Sequence, residues 1–441
     1  VTLSPVLVGR AQAQSLRGGI DPGIDATHAG LRPGSPDDQS EVLARALAGA
    51  AAEGRPLFLP PGVYDLHDVA LPNTAHLIGI PGKSVLRFRG GMALLSASHA
   101  EAIRLEGMTF DGTTTAATLT IDGGLVDLDN VGELAILDCT FNGSATAGTK
   151  LSGCAGRIEN CRVFGARTIG IWLHQSRGVR VTGNIVEDCG DTGILVAREA
   201  EGEDGSIVTE NRISRIRAES GGTGQNGNGI NLDKANGVIV SGNRVDDCAF
   251  SAIRCFSSDS VSVMGNTCTR SGEMALYVEF AFEGAIVANN LIDGANGGIS
   301  FANFMEHGGR LGVCSGNIVR NIRGGPPYPD GNLQIGAGIA AEADVAITGN
   351  VIEDAVWGLQ LGWGPYLRNV AATGNVIRRT KIGIGVSVAE GAGPALISDN
   401  LISDADQGAI LGMQWDQAAT EELVDGESPP ANVTIYGNKR A

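Results

Sequence analysis

Apolar and polar residues alternate along most of this chain, in short runs that repeatedly start over. "VTGNIVEDCGDTGILV" (181–196), "VSGNRVDDCAFSAIRC" (240–255), "ITGNVIEDAVWGLQL" (347–361) and "ISDNLISDADQGAIL" (397–411) share one frame. Alternation with a period of two marks β-strands that bury one face. Within the frame an Asn recurs at 160, 184, 211, 243, 266, 290, 317, 350, 375, 400 and 438, mostly at intervals of 23 to 27 residues. Repeats of that length indicate a solenoid. The units are too short and too β-branched for helix pairs, and they lack the leucine–asparagine frame of leucine-rich repeats. Each reads as three short strands. The pattern therefore predicts an all-β, right-handed parallel β-helix solenoid of about a dozen coils with an N-terminal capping helix. Asn side chains stacked at one corner would satisfy the polar groups of the bend.

The N-terminal part has a different period. In "SPDDQSEVLARALAGAAAEG" (35–54), Val42, Leu43, Ala46, Leu47 and Ala50 fall at helical spacing behind Asp and Ser caps. "RPLFLPPGVYDL" then reads as strand, Pro-Gly turn and strand. A helix there is expected to cover the open end of the solenoid and its unpaired edge. The expected organisation is an arm at 1–20, a cap at 21–75, the β-helix at 76–413, and a tail with a last coil fragment at 414–441. Ala11-Gln12-Ala13 fits an A-x-A cleavage site, so the arm is read as the tail of an export signal.

Composition narrows the function classes. A net charge of -17 argues against nucleic acid or an anionic membrane surface as main partner. No apolar stretch is long enough to span a bilayer, so no membrane insertion is expected. The eight Cys (139, 154, 161, 189, 248, 255, 268, 314) form no C-x-x-C and no zinc spacing. They read as buried thiols, with Cys139 and Cys161 the one pair to test as a disulfide. Gly222, Gly224 and Gly227 spell G-x-G-x-x-G, but a dinucleotide turn needs a helix after it and "GINLD" is a strand. The acidic turns "EGEDGS" (201–206) and "DGESPP" (425–430) lack full calcium-ligand spacing and read as solvated turns.

The entry segment "DDQSEVLARAL…RPLFLPPGVY" resembles that of pectate-lyase-type β-helix proteins. Taken with "GGTGQNGNGI", "CAFSAIRC", "GEMALYVEF" and "LGWGPYLRNV", nearly the whole chain resembles a bacterial family of twin-arginine-translocated repetitive proteins. The resemblance implies a folded β-helix exported to the periplasm, and it supplies no catalytic residue.

Candidate chemistry comes from the strand alternation, which fixes the outward positions of the "GIxLx" strands. These are Trp172 and His174, Leu195 and Ala197, Asn231 and Asp233, Arg254 and Phe256, Tyr277 and Glu279, Ser300 and Ala302, Ala340 and Glu342, Gln360 and Gly362, then Gly385 and Ser387. Polar residues gather between Asn231 and Glu283, where loops are inserted, so a groove is expected there. Asp233 and Glu279, two coils apart with Arg254 on the coil between, suit hydrolysis by paired carboxyls. Lys234 and Arg254 with Tyr277 suit β-elimination of a uronate. Alginate- and chondroitin-cleaving β-helix lyases are similar in using Lys and Arg on neighbouring coils, and that resemblance implies Ca2+ held by Asn and acidic residues. Asn231, His174, Trp172, Glu283, Trp363, Tyr366 and Arg368 are the candidate substrate contacts, with His174 also a possible acid or base. Trp357 reads as a packed residue, and Glu306-His307 as a loop pair without a visible partner. The expected partner is a polysaccharide or oligosaccharide, bound by a monomer or homo-oligomer. The alternative class is a non-catalytic glycan-binding or envelope structural protein.

Overall fold

A corner built from Asn side chains organises the molecule. The structure, a computed structural model, describes residues 23–113, 122–303, 308–325, 335–424 and 429–441. Asn184, 211, 243, 266, 290, 317, 350, 375, 400 and 438 stack there, each Nδ2 donating to the Oδ1 of the next at 2.8–3.0 Å. The same oxygen accepts the backbone N–H of the preceding Asn, as Asn290 Oδ1 does from Asn266 N at 2.9 Å. The second Nδ2 hydrogen goes to a backbone carbonyl, Val263 O for Asn290. Every polar atom of the buried amide is thereby satisfied.

Asn160, expected as the first member, is displaced from the stack. It takes the left-handed bend (φ +55°), and Cys161 occupies the corner, its N–H donating to Asn184 Oδ1 at 2.8 Å. Cys139 and Cys161 direct their thiols at Leu105 O and Ile136 O, the role played by Nδ2 in later coils. Both are free thiols, so the disulfide considered for this pair is not formed.

The coils stack into a sixteen-stranded sheet and a 25-stranded sheet. Pairing is parallel throughout the described strands except between Met413–Gln414 and Gln417–Ala418. In the larger sheet two strands of a coil often run on as one, as in Thr267–Glu279 and Val376–Ser387, bent at a left-handed residue. Those bends carry Asp188, Arg215, Asp247, Arg270, Asp354, Arg379 and Asp404, all with positive φ. Neighbours of opposite charge pair, as Arg215 with Asp188 and Arg379 with Asp354, both at 2.7 Å. Being part-exposed, each such pair adds little stability.

Inside the coils, one aliphatic column runs through Ile171, Ile194, Ile230, Ile253, Leu276 and Ile299, every member buried. Helix α1 (Ser40–Ala52) buries Leu43, Ala46, Leu47 and Ala50 and packs on the strand Thr74–Ile78. The strands Ile24–Asp25 and Leu57–Phe58 on either side of it join the smaller sheet. The arm at 1–20 lies outside the described residues.

Asn290→Ala would strip partners from Asn266 N, Asn266 Nδ2 and Val263 O together. We expect a loss of about 2–4 kcal/mol in chemical denaturation, whereas the exposed change Gln407→Ala should stay within about 0.5 kcal/mol. Burial also pushes the thiols of Cys154 up to about 11 and of Cys189, Cys255 and Cys268 to about 12. Thiol titration at pH 8 should therefore be slow in the folded protein, and all eight should react once guanidinium unfolds it without reductant.

Candidate functional site

The register reproduces the outward rows expected from alternation. One row runs Trp172, Leu195, Asn231, Arg254, Tyr277, Ser300, Ala340, Gln360 and Gly385; its neighbour runs His174, Ala197, Asp233, Phe256, Glu279 and Ala302. Phe256 therefore stands directly between Asp233 and Glu279, and Arg254 belongs to the adjacent row. Glu342 follows Ala341, the partner of Phe301, and so extends the second row beyond Ala302.

Part of this stripe is covered. Arg254 and Glu279 are only 7% and 6% exposed, and Arg254 Nε donates to Glu279 Oε2 at 2.6 Å. The loop at 217–227 lies over Arg254. Gly224 (φ +123°) sits so close that a Cβ there would come within 2.8 Å of Arg254 Nη1. Asn228 Nδ2 holds Gly224 O at 2.8 Å, and Asn231 Nδ2 reaches Gln225 O at 3.4 Å. The glycines expected to wall a groove thus roof one section of it. Tyr277 is buried with Met274 and Ala302. Burial raises the Glu279 carboxyl against the opposing pull of Arg254, and raises Glu342 to about 7. Glu342, outward by alternation but not among the candidate site residues, accepts the backbone N–H of Asn303 at its Oε2.

The section nearer the N-terminus is open. Trp172, His174, Leu195, Asp233, Lys234 and Phe256 are half-buried there. His174 and Asp233 stand two coils apart in one row with only Ala197 between them, a separation of about 9–10 Å between Cβ atoms. Burial is the main cause that lowers the His174 imidazole, with Lys150 adding to it and Glu199 opposing. Burial likewise raises Asp233 against Lys234 and Arg254. One Asp233 oxygen, Oδ1, has no hydrogen-bond partner among the described residues. Lys150 Nζ lies 4.5 Å from the centre of the Trp172 ring, so that face is taken and only the remainder of the indole is available to a ligand. Lys234, at a left-handed bend, extends toward Glu199 O at 3.4 Å.

The other expected contacts lie elsewhere. Glu283 belongs to the smaller sheet and pairs with Arg310. Arg368 is bound to Asp344 at 2.7 Å. Trp363 and Tyr366 sit toward the C-terminal end of the stripe, and Trp357 is buried in a cluster with Ala340 and Met413. Glu306-His307 and most of "DGESPP" fall outside the described residues. In "EGEDGS", expected as a solvated turn, the Asp204 carboxyl is instead buried: Oδ1 accepts Ser206 N at 3.1 Å, and Oδ2 has no hydrogen-bond partner among the described residues.

The profile of a family described as periplasmic copper-binding protein (NosD) matches residues 96–279. No curated protein sequence matches the chain. Among solved structures it is similar to the pre-mature bacteriophage phi29 gene product 12, at 13% identity and a TM-score of 0.61 over 95% of this chain. The chain spans 56% of that phage protein. It is also similar to a PL6 alginate lyase solved in complex with a trisaccharide (15% identity, TM-score 0.51, 86% of this chain and 85% of that one). A third likeness is the catalytic unit of a GH87 alpha-1,3-glucanase from Streptomyces thermodiastaticus strain HF3-3 (15%, TM-score 0.50, 95% and 68%). At these identities the likenesses show the fold, a parallel β-helix.

The described residues do not suit a copper ion. All eight thiols are buried, several of them donating to backbone carbonyls. Among the described residues no group of three or more His, Cys, Asp or Glu is placed to hold a metal.

Glu342 supplies a test of the covered section. Its proton is held to about 7 in the folded protein but released near 4.5 in the unfolded chain. The folded state thus binds more protons across that interval, and stability must fall as pH rises through it. Replacing Glu342 by Gln should leave stability unchanged at pH 4 and raise it by roughly 3 kcal/mol at pH 9, read by denaturation at both pH values.

Proposed function

We propose that this chain is an exported, periplasmic protein that cleaves a uronate-containing polysaccharide in the open section of the stripe, by β-elimination. One observation carries the reading: His174 and Asp233 face outward in one row across Ala197, with Lys234 beside Asp233 and Lys150 beside Trp172. Burial shifts His174 toward its neutral, basic form and Asp233 toward its protonated, acidic form, the two forms the reaction needs. In this reaction His174 removes the proton at C5 of the sugar, α to its carboxylate. The electron pair forms the C4–C5 double bond as the C4–O bond breaks, and Asp233 protonates the departing oxygen. Lys234 offsets the charge that develops on the substrate carboxylate.

Hydrolysis by Asp233 and Glu279 is less well supported, because Phe256 lies between them and Arg254 ties up Glu279. The likeness to a PL6 alginate lyase and a GH87 glucanase is compatible with either reaction, and the periplasmic description of the matching family agrees with export. The same surface without chemistry would be a glycan-binding protein.

A panel of acidic and neutral polysaccharides decides among these. We expect an unsaturated uronate, seen by its ultraviolet absorbance, and a bell-shaped pH profile. Asp233 is raised from 3.8 and His174 lowered from 6.5, so the limb set by Asp233 should lie above the first value and the limb set by His174 below the second. His174→Gln and Asp233→Asn should each cut turnover by about 10²–10⁴ while glycan binding persists. New reducing ends without the unsaturated product would point to hydrolysis, and binding without either product to the non-catalytic role. EDTA in the same assay tests a Ca2+ requirement.

A further inference from the structure

The stretch at 414–418, read from sequence as the start of a tail, is a two-residue hairpin. Met413 pairs with Ala418 and Gln414 with Gln417, leaving Trp415 and Asp416 as the turn. Trp415 holds φ +57°. Two-residue hairpins ordinarily give such a position to Gly, Asn or Asp. The indole is nevertheless 46% exposed, so burial of its apolar surface does not explain its presence.

Its surroundings are shaped to hold it. The Trp363 ring meets it edge-on at 5.4 Å. Gly364 (φ +55°) lies against the indole so closely that a Cβ would come within 2.4 Å of the ring. Ser387 Oγ fixes the Gly364 carbonyl at 2.6 Å. Tyr366, 38% exposed, follows in the same short 3-10 turn.

The position identifies the ligand. Met413 pairs with Ser387 in the outward row that continues from Glu342, so the hairpin closes the same stripe that carries His174 and Asp233. From Asp233 the row runs five coils to the level of Gly362, about 24 Å. A long polymer passing over the covered section between them would reach both places. Aromatic rings take the apolar faces of sugar rings, and the exposed Gln414 and Gln417 offer uncharged hydrogen bonds to hydroxyls.

We propose that Trp415, Trp363 and Tyr366 form a second glycan-binding surface that anchors a polysaccharide away from the reacting bond. The proposal takes from the functional reading only that the ligand is a glycan. Its test is Trp415→Asn, because Asn accepts the left-handed turn and the variant should fold at least as well as the parent. Trp363→Ala serves as the second variant.

Binding to the polysaccharide panel is read by affinity electrophoresis, and stability by denaturation. We expect each variant to weaken binding of the retained polymer at least tenfold, and Trp415→Asn to have an equal or higher denaturation midpoint. Unchanged retention overturns the proposal, as does a lower midpoint with retention intact, which would make Trp415 a packing residue. A wild-type protein retained by no polymer overturns it too. Turnover without Trp415-dependent retention would sink the anchor and spare the cleavage reading. Trp415-dependent retention without turnover would do the reverse.

Discussion

The fold depends on a column of buried primary amides that has to be satisfied at every level. An amide has two donors and an acceptor with two lone pairs, and the coil rise brings the next amide within bonding distance of both kinds of group. Each Asn therefore closes its own bend and the bend above it. Because buried polar groups left unpaired are costly, the arrangement fixes which residue of each coil sits at the corner. With the corner fixed, alternation dictates which side chains enter the aliphatic column and which face out. The rows containing His174 and Asp233 follow from that corner many residues away.

Outward orientation is a weaker condition than accessibility. Arg254 and Glu279 face out of the coil, yet both are buried, Arg254 beneath the loop at 217–227. A buried ion pair of this kind gains little overall but is damaging to break on one side only. His174 and Asp233, with no such roof, keep titrating groups near solvent while enough apolar surface surrounds them to shift their proton affinities toward one another. The proposed chemistry is confined to where cover is partial.

The fold was legible because two periods coincide in the sequence: alternation within strands, and the recurrence of Asn. The outward rows were legible for the same reason, down to the pairing of Asn231 with Arg254 and Tyr277. Asn160 misled because the repeat locates a bend only to within a residue, and a thiol in Cys161 can donate to the same carbonyl. The cover over Arg254 could not be read, since a glycine-rich loop shows that the backbone can approach something without saying what. Glu342 was visible as an outward carboxyl, but its burial depends on neighbours from other coils. Trp415 escapes the sequence reading because the break in the repeat at 414 reads as the start of a tail rather than as a tight turn. A bulky aromatic between two glutamines, just after a strand, was the signal available.

Loop length has almost no influence on the register. The interval between stacked amides varies from 23 residues, between Asn243 and Asn266, to 38, between Asn400 and Asn438, yet the bonds keep the same length within a few tenths of an ångström. Lengthening a flexible loop twofold costs only about 0.6 kcal/mol of closure entropy. Segments such as 217–227 can therefore grow, shrink or change composition without disturbing the column that holds them. In such an architecture a new specificity is a matter of rewriting loops along one side, and the scaffold need not be refolded to accept it.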